Sequence, residues 1–244
     1  MTAQLRSELL KLRTTRTTLG LLLGAIAIVL LEVFGDVFSD NLQAISTEDK
    51  QRVVFGAGTL GALFAAYTGI ILVTNEFRYG TIRPTLLLQP RRRIVIGAKL
   101  IAVALVGAAF GVVGVALSFA AGFAALDARG VDFVVSGGHL ALAAGGTIAG
   151  CVLCAMFGLA IGALIRHQVG AIVFLAVWFF TFEQILFNDA PAVGRYLPGQ
   201  ATSALGGVTT PHLLSPTVGA VALVLWTLAF VALAMARTER GDIA

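Results

Sequence analysis

His139 to Ile165 reads HLALAAGGTIAGCVLCAMFGLAIGALI, 27 residues without one Asp, Glu, Lys or Arg. A bilayer's hydrocarbon core is about 30 Å thick, and a helix crosses it in roughly 20 residues. In lipid every backbone polar group must be bonded within the segment, so a run of this length is a helix; barrel strands are shorter and alternate polar with apolar residues. The stretch is therefore a membrane-spanning helix.

Five further runs of comparable length flank it, at 17 to 38, 53 to 74, 100 to 126, 169 to 187 and 217 to 236. Only two carry charges, Glu32 and Asp36 in the first and Glu183 in the fifth. With the run at 139 to 165 they predict six spans and an all-α integral membrane protein. The whole composition agrees: 58% of the residues are hydrophobic, 12% are charged against about a quarter in globular domains, and the mean hydropathy is +0.92. A soluble enzyme, a disordered chain and a fibrous protein are excluded. The 28 glycines lack a collagen period and suit close helix packing in lipid. No linker, low-complexity tract or repeat divides the chain, so residues 1 to 244 read as one membrane domain. The first run follows a basic start as a signal peptide does, but it extends to Phe38 with no small-residue cleavage site after it, and is expected to be retained.

The basic residues set the orientation. With the N-terminus in the cytoplasm, Arg6, Lys11, Arg13, Arg16, Arg78, Arg83, Arg91, Arg92, Arg93, Lys99, Arg166, Arg237 and Arg240 lie inside, against Lys50, Arg52, Arg129 and Arg195 outside. The positive-inside rule then predicts a multi-pass membrane protein with both termini cytoplasmic. The net charge of +4 is explained by anionic lipid and requires no nucleic acid.

Three segments are not spans. Residues 4 to 13 place Leu5, Leu9 and Leu12 on one helical face, the pattern of an interfacial helix; an ordinary basic flank is the alternative. Between the second and third spans, segment 75 to 93 has a turn at Gly80, an N-cap at Thr81, Pro84 in a first turn and Pro90 as a stop, predicting a short helix at 82 to 88. It carries Leu86, Leu87 and Leu88 on the water side of the bilayer, bracketed by five arginines, which marks a contact surface. A loop folded back on lipid phosphates is the alternative. Residues 188 to 216 contain Pro191, Pro198, Pro211 and Pro216 among several glycines, too apolar for a solvated loop and too broken for a span. A pair of short re-entrant helices in the outer leaflet fits, with an ordinary extracellular loop as the other reading.

The order Leu-Arg-Ser-Glu-Leu-Leu-Lys-Leu-Arg-Thr-Thr at 5 to 15, then Asn-Glu-Phe-Arg-Tyr-Gly-Thr-Ile-Arg-Pro-Thr-Leu-Leu at 75 to 87 with Pro90, Arg91 and Lys99, resembles the small actinobacterial permeases of the type-2 ATP-binding-cassette (ABC-2) exporter family. Gly158, Gly162, Arg166, Trp178, Glu183 and the stretch Gly194 to Pro198 are similar but less specific. The resemblance implies six spans, an N-terminal interfacial helix, a cytoplasmic coupling helix and re-entrant helices between spans five and six. It also implies a place in a bacterial cytoplasmic membrane and two permease subunits, identical or paralogous, served by two copies of a separate nucleotide-binding subunit, which would hold the ATP and Mg. Exported compounds in such a family include drugs, antibiotics, lipids and glycans.

The chain's own chemistry points the same way. The three lysines follow Leu10, Asp49 and Ala98, so no Gly-Lys-Ser/Thr phosphate loop is present, and the chain is expected to be non-catalytic and to carry no cofactor or metal. Energy would arrive through the coupling segment: Glu76, Arg78 and Arg83 as polar contacts, Leu86 and Leu87 as apolar anchors, with Tyr79 and Gly80 completing the set. Ser136 and His139 are read as neighbours in sequence only, without a third orienting group. Cys151 and Cys154 sit mid-span and are read as packing residues. Glu183 is the one deep carboxylate and, with Glu32 and Trp178, is a candidate for the substrate path or its gate; a hydrogen bond to the re-entrant segment, near Arg195, is the structural alternative. Two rival functions remain open: a stand-alone proton-coupled transporter that titrates Glu183, and a membrane enzyme.

Overall fold

A computed structural model describes residues 5–10, 16–81, 92–208 and 210–240, the side chains of 92, 93, 239 and 240 excepted. Six helical stretches among them are long and apolar enough to cross a membrane, and each contains one of the predicted runs. A short helix α1 covers 5–10. The first span is α2 (Arg16–Ser39), followed by α3 (Leu42–Ile45). Helix α4 (Glu48–Gly56) continues through a 3-10 turn at Ala57–Leu60 into α5 (Gly61–Arg78), the second span. The third and fourth are α6 (Arg92–Ala128) and α7 (Gly137–Ile165). The fifth runs from α8 (Gln168–Val177) through a π turn at Trp178–Phe182 into α9 (Glu183–Asp189). Two short helices, α10 (Pro191–Gly194) and α11 (Pro198–Leu205), precede the sixth span, α12 (Pro216–Arg240).

Local chemistry sets the ends. Thr47 caps α4, accepting the Lys50 N–H, and Glu48 and Asp49 occupy the first turn, where negative charge meets the positive end of the helix dipole. Ser136 caps α7 by accepting the His139 N–H. At its far end Arg166 takes a left-handed conformation, with φ of 59°. Helices α10 and α11 each begin with a proline, whose missing N–H is no loss in a first turn.

The second and fourth spans form the interior. Of the most apolar window of the second, 78% is buried, against 17% for the fifth. Glycine permits their contact: a Cβ on Gly69 would stand 2.1 Å from the Ala155 carbonyl oxygen, and one on Gly158 would stand 2.0 Å from that of Ala66. The small-xxx-small pairs are therefore spent largely within the chain. Gly158 and Gly162 face α5, Gly107 and Gly111 face α7, and Gly146 lies against Leu205 of α11, while Gly20 meets nothing.

At the end away from the arginine-rich loops, two polar side chains, Gln51 buried and Arg129 half-buried, brace the connections. Gln51 donates to the Ile45 and Asp132 carbonyls and accepts the Val134 N–H. Arg129 donates to the carbonyls of Val37 and Asp40. Segment 188 to 216 holds two short helices, of which α11 is largely buried and packs between α7 and α12. Irregular backbone is tolerated in such a place because protein, not lipid, surrounds it.

Candidate coupling site at the basic end

The strongest electrostatic feature lies at the foot of the loop between the second and third spans. Lys99, two turns into α6, extends its Nζ to Glu76 Oε1 near the end of α5, at 2.5 Å, and to Glu8 Oε2 on α1, at 3.0 Å. All three residues are buried, Glu8 at 0% exposure, Lys99 at 3% and Glu76 at 4%. Charges taken from water at this depth are stable only when paired, and removing one partner is strongly destabilising. The triad joins three elements: the helix before the first span and both stems of loop 79–91. Leu5 and Leu9 of α1 pack on the same core.

Glu76, read from sequence as a surface contact, thus points inward and holds Lys99. Arg78, Tyr79 and Gly80 are exposed at the loop's entrance; Gly80 has φ of 67°, in the left-handed region that favours glycine. Arg78 Nη1 reaches Gln168 Oε1 at 3.4 Å, and the Arg166 guanidinium lies 5.5 Å from the centre of the Phe77 ring. The loop between spans four and five is thereby joined to the same surface. Arg83, Leu86 and Leu87, with the helix expected at 82 to 88, lie outside the described residues, as does Leu12. Sequence reading missed Glu8. Its signal was there, an acid between Leu5 and Leu9 on the face meant for apolar residues.

Glu183 is reached from the other end. The π turn makes the Glu183 N–H bond to the Trp178 carbonyl, one residue further back than an α-helix allows, and so re-aims the residues that follow. The Glu183 side chain is buried, and its Oε2 accepts the N–H groups of Gly199 (2.8 Å) and Gln200 (3.2 Å), the first turn of α11. It caps a helix from outside that helix, and no ion pair with Arg195 is found among the described residues. A Cβ on Gly199 would stand 2.5 Å from Oε2, so the approach requires glycine. Trp178 packs at a tilt against Phe182 (4.8 Å) and meets Trp226 (6.1 Å), whose indole donates to the Tyr196 carbonyl. Glu32 and Asp36 lie elsewhere, on the last third of α2, Glu32 exposed and Asp36 half-buried.

Ser136 and His139 are more than sequence neighbours. Ser136 Oγ is 3.1 Å from His139 Nδ1, and Glu48 Oε1, which also pairs with Arg52 at 2.7 Å, is 2.8 Å from that nitrogen. The expected lack of a third group is thus corrected. Both oxygens address one ring nitrogen, however, whereas serine activation places hydroxyl and carboxylate on opposite ones. The cluster ties α4 to the start of α7.

Six apolar helices, with a buried charged joint beneath one connecting loop, define a polytopic α-helical membrane protein whose polar architecture is concentrated at its helix ends. The family described as ABC-2 family transporter protein matches residues 4–183, and the chain belongs to that family. The match takes in α1, both stems of the loop between the second and third spans and every member of the ion triad, and ends at Glu183. No curated protein matches the chain.

Proposed function

We propose that this chain is the permease subunit of an ATP-driven exporter in a bacterial cytoplasmic membrane. It would move an amphipathic or hydrophobic compound outward with energy from a separate nucleotide-binding subunit that holds the ATP and Mg. Two such ATPase subunits would serve two permease subunits, identical or paralogous, with both permease termini in the cytoplasm.

The observation that carries the reading is the Lys99 triad. A partner gripping the loop at 82 to 88, with Arg83, Leu86 and Leu87 as its contacts, would pull on two stems bolted to each other and to α1. Displacement then passes into α2, α5 and α6 together rather than being absorbed at the loop. Arg78 and Tyr79, exposed at the entrance, extend the docking surface, and Glu76 acts as a positioning residue. Glu183, held by two backbone amides, better suits a fixed structural carboxylate than one that must gain and lose a proton each cycle. That favours the ATP-driven reading over the proton-coupled one.

The test is to replace Leu87 by Asp and Arg83 by Glu in the membrane-embedded chain and pull it down by a tag. Loss of the ATPase subunit, with the permease's own thermal unfolding unchanged, is expected. Undiminished association and export would refute the proposed docking.

A further inference from the structure

The two halves of the fifth span are fixed to different parts of the molecule. The inner half, α8, is held at its foot, where His167 caps it by accepting the Gly170 N–H at 3.0 Å and Arg78, from the last turn of α5, reaches Gln168. Ala171 and Leu175, both buried, then seat it in the core that α5 and α7 share. The outer half, α9, is tied elsewhere. Glu183 Oε2 accepts two N–H groups of α11, and Gly194 of α10 comes so near that a Cβ there would stand 2.5 Å from the Phe187 backbone. Between Leu175 and Glu183 no residue is buried, and the π turn lies inside that interval. The break in α-helical bonding thus falls where packing does not lock it, between two halves that are each held.

The turn also sets the register. Leu175 and Glu183 are eight residues apart, which in an unbroken α-helix leaves them about 80° apart around the axis. The extra residue taken up by the π turn reduces this to about 20°, and both side chains reach the buried side. Lipid restricts how such a span can bend. A hinge that breaks the ladder leaves N–H and C=O groups with no water to meet them. A π turn escapes that cost, because i→i−5 bonds exchange for i→i−4 bonds as the turn moves along the chain and one half rotates against the other.

We propose that the π turn at Trp178–Phe182 is the hinge of the fifth span: the inner half follows α5 and α7 when the loop at 79–91 is pulled, while Glu183 keeps the outer half on α11. The inference rests on the exporter reading and gives that reading's conformational step a place in the chain.

The experiment uses the full chain with its partners in lipid nanodiscs. Nitroxide labels are placed at Val169→Cys and Ile185→Cys, exposed positions on either side of the turn, while Cys151 and Cys154 are buried and stay in place. Both labels sit on one span, so a regular helix holds them at a fixed distance. Adding ATP and vanadate is expected to shift the distance distribution measured by pulsed electron resonance. Deletion of Phe180, an exposed residue, lets the halves join as regular α-helix with Leu175 and Glu183 still on one side, and should abolish the shift without lowering the thermal midpoint. Phe180→Ala keeps the chain length and should retain the shift. An unchanged distance in a complex that hydrolyses ATP, or a shift that survives the deletion, would overturn the hinge and leave the exporter reading standing. A deletion that unfolds the chain would contradict the stated register, and the shift at full chain length would still decide the hinge. A chain that brings no ATPase subunit and hydrolyses no ATP would overturn the exporter reading and the hinge with it.

Discussion

Lys99 is the residue on which most depends. Two carboxylates converge on it where water is excluded, so Lys99→Met takes the shared ammonium from both. The expected loss is about 3–5 kcal/mol, read as a lowered thermal midpoint in detergent. Adding Glu76→Gln to that variant removes one of the two buried carboxylates and should restore part of the loss, giving a coupling energy in a double-mutant cycle. A simple sum of the two single effects would argue against the pairing. Gly199 makes a second residue-scale case. Alanine there must displace Glu183 Oε2, 2.5 Å from the new Cβ, at a cost of about 1–3 kcal/mol for overpacking. Glu183→Gln, which keeps an acceptor of similar shape, should cost less than Glu183→Ala when thermal midpoints are compared.

At the scale of elements, the contact of α5 with α7 is decided by backbone approach, not side-chain interlock. Gly158→Leu has nowhere to go, since even its Cβ would lie 2.0 Å from the Ala66 oxygen, and it should unseat α7 from α5 and prevent recovery of folded protein. Gly20→Leu faces open space in a comparable run of the first span and should leave yield and midpoint unchanged. The spans were legible from composition because the bilayer demands length: 27 uncharged residues at 139 to 165 have one physical reading. Their ends were less so. Helix α6 begins at Arg92, well before the run expected from 100, because a helix that has left the hydrocarbon core has no reason to stop at a charge. The π turn at Trp178 to Phe182 had no sequence signal that we recognise. The candidate site was legible in part. The stems of the loop stood out by their turn and charge pattern, whereas the ion pair joining Glu8 to Lys99 spans 91 positions and exists only once α1 packs. Periodicity reports a face but not what that face meets. Ser136 and His139 show the same limit, since Glu48 comes from another helix, again 91 positions away.

For the molecule as a whole, polar engineering is divided between two ends. One end carries the triad and exposes Arg78, Tyr79 and the Arg166 turn; the other carries the capped helix α11, the braces at Gln51 and Arg129 and a cavity of about 530 Å³. Between them α5 and α7 form a tightly packed shaft. Under the proposed function, a partner acting on the first end would move the foot of this shaft, and the far end would respond through α11, which is lodged against α7 at Gly146. On this account Lys99→Arg, which keeps charge but changes geometry, should preserve binding of the ATPase subunit and reduce export more than it reduces hydrolysis, a split that measuring both rates in proteoliposomes would reveal.

The central claim, that an external ATPase drives this chain, is tested most directly by gentle purification of the tagged protein from its native membrane followed by ATP hydrolysis in lipid nanodiscs. The account predicts a stoichiometric nucleotide-binding subunit in the eluate and hydrolysis that disappears when that subunit is removed. A chain that emerges alone and shows no ATP-dependent activity in any lipid would contradict it.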